Sequence, residues 1–206
     1  AVDDGGGVIQ EGLAQQADGE AVEAVLTSVG HRRVKRRTGL AGLTPREVEV
    51  LILIARGASV NAADKTGISP LMYAIRANSK AMAQLLLDNG AAVRAQTRTG
   101  HTPLMIAAAR GRSEIAGMLI SSGADINGRS GENDTPLILA AMYGHTTTAL
   151  LLIARGADVN AREASGITAL MMAADGGNLA LVQALLARGA EVDATTLGGE
   201  SALLLA

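Results

Sequence analysis

Residues 100–111 read Gly-His-Thr-Pro-Leu-Met-Ile-Ala-Ala-Ala-Arg-Gly, and residues 123–127 read Gly-Ala-Asp-Ile-Asn. Both phrases return, altered, at intervals of 33 residues. Gly57, Gly90, Gly123, Gly156 and Gly189 head the short phrases GASVN, GAAVR, GADIN, GADVN and GAEVD. A second series stands at Gly67, Gly100, Gly166 and Gly199, with Asn133 in the missing place, and precedes ISPLMYA, HTPLMIA, DTPLILA, ITALMMA and ESALLLA. Chance does not sustain two phases over four periods, so the chain is a repeat array.

Each unit has a physical reading. Ser69-Pro70, Thr102-Pro103 and Thr135-Pro136 put a hydroxyl N-cap before a proline at the first helical position. Leu71, Ala74 and Ile75, like Leu104, Ala107 and Ala108, then follow at helical spacing, and a turn near Asn78, Gly111, Gly144 or Gly177 ends this first helix. A second helix carries Leu85-Leu86-Leu87, Met118-Leu119-Ile120, Leu150-Leu151-Leu152 or Ala184-Leu185-Leu186. The glycine of each Gly-Ala pair sits where a left-handed C-terminal cap is wanted. About ten residues then cross to the next unit as an extended finger.

These units resemble the ankyrin repeat, whose period and T-P-L-H-x-A signature they approach. The resemblance rests on the stretch from Gly100 and on Gly-Ala-Asp-Val-Asn-Ala from Gly156; it covers Gly39 to Ala206 and is weaker before that. It implies an all-α α-solenoid of helix-turn-helix repeats with extended finger loops, and a role in protein–protein recognition. Two departures bear on local stability. Met72, Met105 and Met171 stand where the family has histidine, which removes that residue's hydrogen bonding, and Ala169 and Ala202 replace the proline.

The expected organisation is a flexible tail over 1–9 and one solenoid over 10–206. Within it, degenerate repeats occupy 10–66, regular repeats 67–198 and a partial last repeat 199–206. Gln10 to Gly30 reads as a degenerate first unit, and Gly30 to Gly57 falls six residues short of the period. Either that unit is compressed or residues are missing there. At the other end Leu203-Leu204-Leu205 leaves open whether more chain follows Ala206 or this helix seals the array.

Composition agrees. Of 206 residues, 48% are hydrophobic and 18% charged, which excludes a wholly disordered chain. The mean hydropathy is +0.24, yet apolar runs such as Val50–Ala55 are far shorter than the ~20 residues of a membrane-spanning helix. The absence of cysteine excludes disulfides, thiolate metal sites and a cysteine nucleophile. Without Phe or Trp the core must be thin, regular layers of Ala and Leu. The sequence opens at Ala1 without a basic-then-apolar targeting segment. A trimmed Met would favour the cytoplasm, and a cleaved signal peptide a periplasmic or secreted protein. The Ala, Gly and Arg bias points to a bacterial coding sequence.

Candidate chemistry is sparse. His31, His101 and His145 match no zinc spacing; there is no nucleophile elbow and no phosphate loop, and nothing calls for a metal or cofactor. His145 is expected to make a structural hydrogen bond, and His101 to be either a contact residue or solvated filler. Glu132 and Asp134 read as a solvated finger tip rather than a cation site. The run His31–Arg37 carries five of the 18 Lys and Arg, leaving 13 against 20 Asp and Glu elsewhere. It could meet an acidic protein patch, but no aromatic residue near it would stack a base, so nucleic acid is not the expected partner. The chain is therefore expected to be non-catalytic: a module that binds, masks or inhibits another protein. The alternatives are a regulatory segment of a larger protein and an electrostatic nucleic-acid or membrane binder through residues 31–37.

Aligning the repeats puts Lys65, Ile68, Arg76, Arg98, His101 and Arg110 on the earlier half of the expected recognition face. Glu132, Asp134, Met142, Tyr143, Ile167 and Asp175 fall on the later half, so that face runs from basic to acidic. Tyr73 is expected in the core. Tyr143, which ends its first helix, is expected to anchor a partner, with a ring lying over the adjacent turn as the bland alternative.

Overall fold

A computed structural model describes residues 59–205. Contacts divide the chain between Ala62 and Ala63, and the unit from Ala63 onward is described by itself. The degenerate repeats before Gly57 and the basic run 31–37 lie outside the described residues. Among the described residues the secondary structure is helical: α1 (Pro70–Arg76), α2 (Lys80–Asp88), α3 (Pro103–Ala109), α4 (Ser113–Ser121), α5 (Pro136–Met142), α6 (Thr146–Ala154), α7 (Ala169–Asp175), α8 (Leu179–Ala187) and α9 (Ala202–Leu205). Two isolated bridges, Arg162 with Thr168 and Thr195 with Ser201, join the arms of two fingers.

The local signals act as read. Ser69, Thr102, Thr135 and Thr168 hold extended backbone before α1, α3, α5 and α7, and their hydroxyls accept from the amides of Met72, Met105, Ile138 and Met171. Ala169 thus starts α7 without proline because the threonine cap remains. The loss expected at the methionines is only partial: Met105 Sδ accepts the Thr102 amide at 3.4 Å, closing a reciprocal cap with sulfur in place of imidazole. Asn78, Gly111, Gly144 and Gly177 take positive φ between the helices of each pair, as do Gly90, Gly123, Gly156 and Gly189 after the second helix.

Packing runs in two rows. α1, α3, α5, α7 and α9 stack in order, and α2, α4, α6 and α8 stack beside them, each pair closed by contact between its own two helices. Leu71, Met72, Ile75, Leu104, Met105, Leu119, Leu137, Ile138, Leu152 and Met171 are fully buried between rows, with Ala83, Ala107, Ala116, Ala140 and Ala149 equally hidden. Small residues let neighbouring units approach closely, so no large ring is needed to fill the layer.

Tyr73 corrects the sequence reading: it is 50% exposed, not core. Leu71, Met72, Ala74 and Ile75 take the inward positions of α1. Tyr73 lies on the remaining face, where its hydroxyl donates to Asp64 Oδ2 at 2.7 Å.

The fingers are joined edge to edge by a hydrogen bond repeated every 33 residues. Arg98 N donates to Thr66 O (3.0 Å), Gly131 N to Thr99 O (3.0 Å), Ala164 N to Glu132 O (2.8 Å) and Leu197 N to Ser165 O (2.7 Å). This approach explains the second glycine series. A Cβ on Gly100 would stand 2.7 Å from Gly131 N, a clash with backbone that cannot rotate away, whereas one on Gly123 would meet nothing within 4 Å. Asn133 tolerates the same left-handed backbone, at φ 62°.

Both glycines have positive φ, so alanine at either is strained by roughly 1–2 kcal/mol. Gly100→Ala should cost about 1–3 kcal/mol more than Gly123→Ala, because it also overpacks the finger seam. Urea unfolding of the two variants checks this, and equal costs would remove the seam as the reason for the glycine.

Candidate functional site

Each finger is a tight turn closed by a side-chain acceptor at one register position, whatever its chemical type. Asp64 accepts from the amides of Thr66 (2.7 Å) and Ile68 (3.0 Å). One repeat on, Thr97 accepts from His101 N (3.1 Å). Ser130 accepts from Glu132 N and Asp134 N, Glu163 from Ser165 N and Ile167 N, and Thr196 from Gly198 N and Glu200 N. Beneath the tips, Asn127 Oδ1 accepts Asp158 N, and Asn160 Oδ1 accepts Glu191 N, both at 2.8 Å. Arg94 Nε and Asn160 Nδ2 donate to the carbonyls of Gly123 and Gly189, the cap glycines of the following units. The finger backbones are therefore held by recurring hydrogen bonds beneath whatever their tips present.

Five of the residues expected on the recognition face meet in one open groove of about 440 Å³. It is lined by Ile68, Arg76, Arg98, His101 and Arg110, together with Thr66, Thr97, Thr99, Ile106 and Ala109. Arg76, Arg98 and Arg110 are exposed, and His101 is half-buried with Nδ1 2.8 Å from Thr99 Oγ1. Lys65, also exposed, occupies the finger position equivalent to Arg98 but does not line the groove.

The later residues occupy matching positions one or two repeats along and lie outside that groove. Glu132 and Asp175 are exposed, and Ile167 is half-buried. Asp134 is half-buried and accepts the Ser130 hydroxyl at 2.9 Å. Met142 and Tyr143, at the end of α5, are 42% and 57% exposed. The Tyr143 ring stacks on His145, with centroids 6.5 Å apart and planes at 29°. His145 makes the expected structural contact: its Nε2 lies 3.2 Å from Ala109 O, and its ring fills the space over Gly111. The Tyr143 ring thus lies against His145 of the adjacent turn and still presents more than half its surface.

Electrostatics sharpen the contrast between the halves. Asp64 is held well below the ordinary carboxylate value of 3.8 by the Thr66 hydroxyl, the Tyr73 hydroxyl and the Ile68 amide. These neutral donors hold it in the charged form. Arg76 Cζ lies 6.0 Å from the Tyr73 ring centroid, a cation–π distance. Burial pushes Glu163 up, but the Ser165 hydroxyl and amide with the Ile167 amide hold it below its ordinary value. Among the described residues the ion pairs are Lys80–Glu114 and Arg162–Glu191, so the three groove arginines have no carboxylate partner there.

Sequence reasoning missed Tyr73, Ile106 and the threonines of this face. The positions equivalent to Tyr73 hold Ile106, Leu139 and Met172, which read as core by type. A usable signal was the acceptor series Asp64, Thr97, Ser130, Glu163 and Thr196, whose 33-residue spacing marks the turns that hold the face.

A lowered folded-state value stabilises the fold above the ordinary carboxylate range and is lost as pH falls below it. Wild type should therefore be more stable than Asp64→Asn at pH 7, with the gap shrinking as pH falls below about 4. Thermal melts across that range check the sign; a gap that is absent at pH 7, or constant to pH 2, would contradict it.

No group of three or more His, Asp or Glu able to hold a metal ion occurs among the described residues. No helix among them is long and apolar enough to cross a membrane. No curated protein matches the sequence. The family described as ankyrin repeats (3 copies) matches residues 44–130 and 127–196, well over half of the chain. Ankyrin repeats are in general protein–protein interaction modules and typically non-enzymatic. The 33-residue period, the paired helices and this match together establish that the chain belongs to the ankyrin repeat family.

Proposed function

We propose that this chain is a non-catalytic module that binds, masks or inhibits a partner protein through the face formed by its finger tips and the ends of its first helices. The observation that carries the reading is Tyr143, 57% exposed with Met142 42% exposed beside it, in a chain with only two aromatic residues. An exposed tyrosine gives large contact area for little lost rotamer freedom, and binding hot spots are enriched in it. Stacking on His145 reduces that loss further, since the ring is already placed. The rigid fingers add to this: a surface ordered before binding spends less of its contact energy on ordering.

Tyr143→Ala separates binding from folding. Its melting temperature should change little, because the ring leaves the core layers intact, while affinity for a partner isolated on the whole protein should fall by about 2 kcal/mol or more. A variant that melts much earlier yet binds normally would assign Tyr143 to the fold and remove it from the recognition face.

A further inference from the structure

Resting on the reading of this face as a protein-binding surface, we propose that the groove between the fingers of the first two described repeats takes an extended acidic peptide segment carrying one apolar side chain. The chemistry of the lining sets this choice. Ile68, Ile106 and Ala109 give the groove an apolar floor, and Arg76, Arg98 and Arg110 stand around it. Residues 89–113 contain four arginines and no Asp or Glu. Asp64, held ionised by Thr66, Ile68 and Tyr73, offsets one positive charge, but it does not line the groove and forms no ion pair with the three arginines. Guanidinium groups pair with carboxylates in a two-pronged geometry that ammonium groups do not match. The groove is too open to enclose a small molecule and leaves room for a few residues of extended chain.

A nucleic-acid strand fits less well. No aromatic side chain lines the groove to stack a base, and the apolar floor offers nothing to a ribose or phosphate. The acidic later half of the same face, with Glu132 and Asp175 exposed, would repel a continuing phosphate chain. A peptide acidic only at its groove end avoids that repulsion.

The test selects random twelve-residue peptides displayed on phage against the whole chain, then measures synthetic versions of the enriched peptides by fluorescence anisotropy. The proteins are wild type, Arg98→Glu/Arg110→Glu and the control Arg155→Glu. Arg155 is exposed at the end of α6, in the second-helix row. All three charge changes lie on exposed side chains, and circular dichroism with a melting curve confirms the fold of each variant. The expected result is a pool rich in Asp and Glu around a single Leu, Ile or Val. Binding should weaken at least about tenfold in the double variant, stay unchanged in the control, and fall as salt rises from 50 to 200 mM. A neutral or basic pool, no enrichment at all, or acidic peptides that bind the double variant normally would each overturn the assignment. So would a single-stranded DNA oligonucleotide that outbinds the peptides and is lost in the double variant. Peptides lost by Tyr143→Ala but kept by the double variant would overturn the groove assignment alone, leaving the protein-binding reading in place.

Discussion

The backbone bond from one finger to the next is the constraint on which this structure depends. Each unit is two short helices of seven and nine residues, too short to be stable alone and able to bury an apolar face only against its neighbours. Stacking supplies that burial, and the bonds Arg98–Thr66, Gly131–Thr99, Ala164–Glu132 and Leu197–Ser165 fix the offset at which it happens. The glycines at 67, 100 and 166 follow from that offset, because a side chain there would meet the next finger's backbone at close range. So do the acceptors at 64, 97, 130, 163 and 196, which hold each tip in the shape its neighbour can bond. The fold is a single junction solved repeatedly.

Much of this was legible in the sequence, and the reason is mechanical. A repeat exposes its constraints by repetition: glycine after glycine at φ near +85° cannot be mistaken for composition. The hydroxyl caps, the turn residues and the buried Leu119 follow from rules that act within a few residues. Tyr73 did not follow from them. Its register is shared with Ile106, Leu139 and Met172, and type alone does not tell an outward face from an inward one when the helix is only two turns long. The sulfur cap at Met105 was likewise invisible, since it depends on a rotamer. The acceptor series was hidden by its variety, because Asp, Thr, Ser and Glu share an oxygen but not a letter.

The face itself is a consequence of the junction. Because the finger tips and first-helix ends repeat at fixed spacing, substitutions at those positions change chemistry without disturbing the stack. Arg76, Ala109, Met142 and Asp175 are four answers at one register position, and Ile68, His101, Asp134 and Ile167 at another. That freedom lets the earlier part of the face be basic and the later part acidic while the core stays Ala, Leu, Ile and Met. The variation of the face then resides in a few exposed side chains on a repeated scaffold.

The most direct test of the junction is native-state amide hydrogen exchange at the four finger donors. The amides of Arg98, Gly131, Ala164 and Leu197 belong to residues exposed on loops, where exchange is ordinarily fast. If the seam carries the fold, they should exchange as slowly as helix amides such as those of Ile106 and Leu139, opening only when neighbouring repeats separate. Exchange at the rate of an unstructured peptide, with the helices still protected, would show that the stack stands without it.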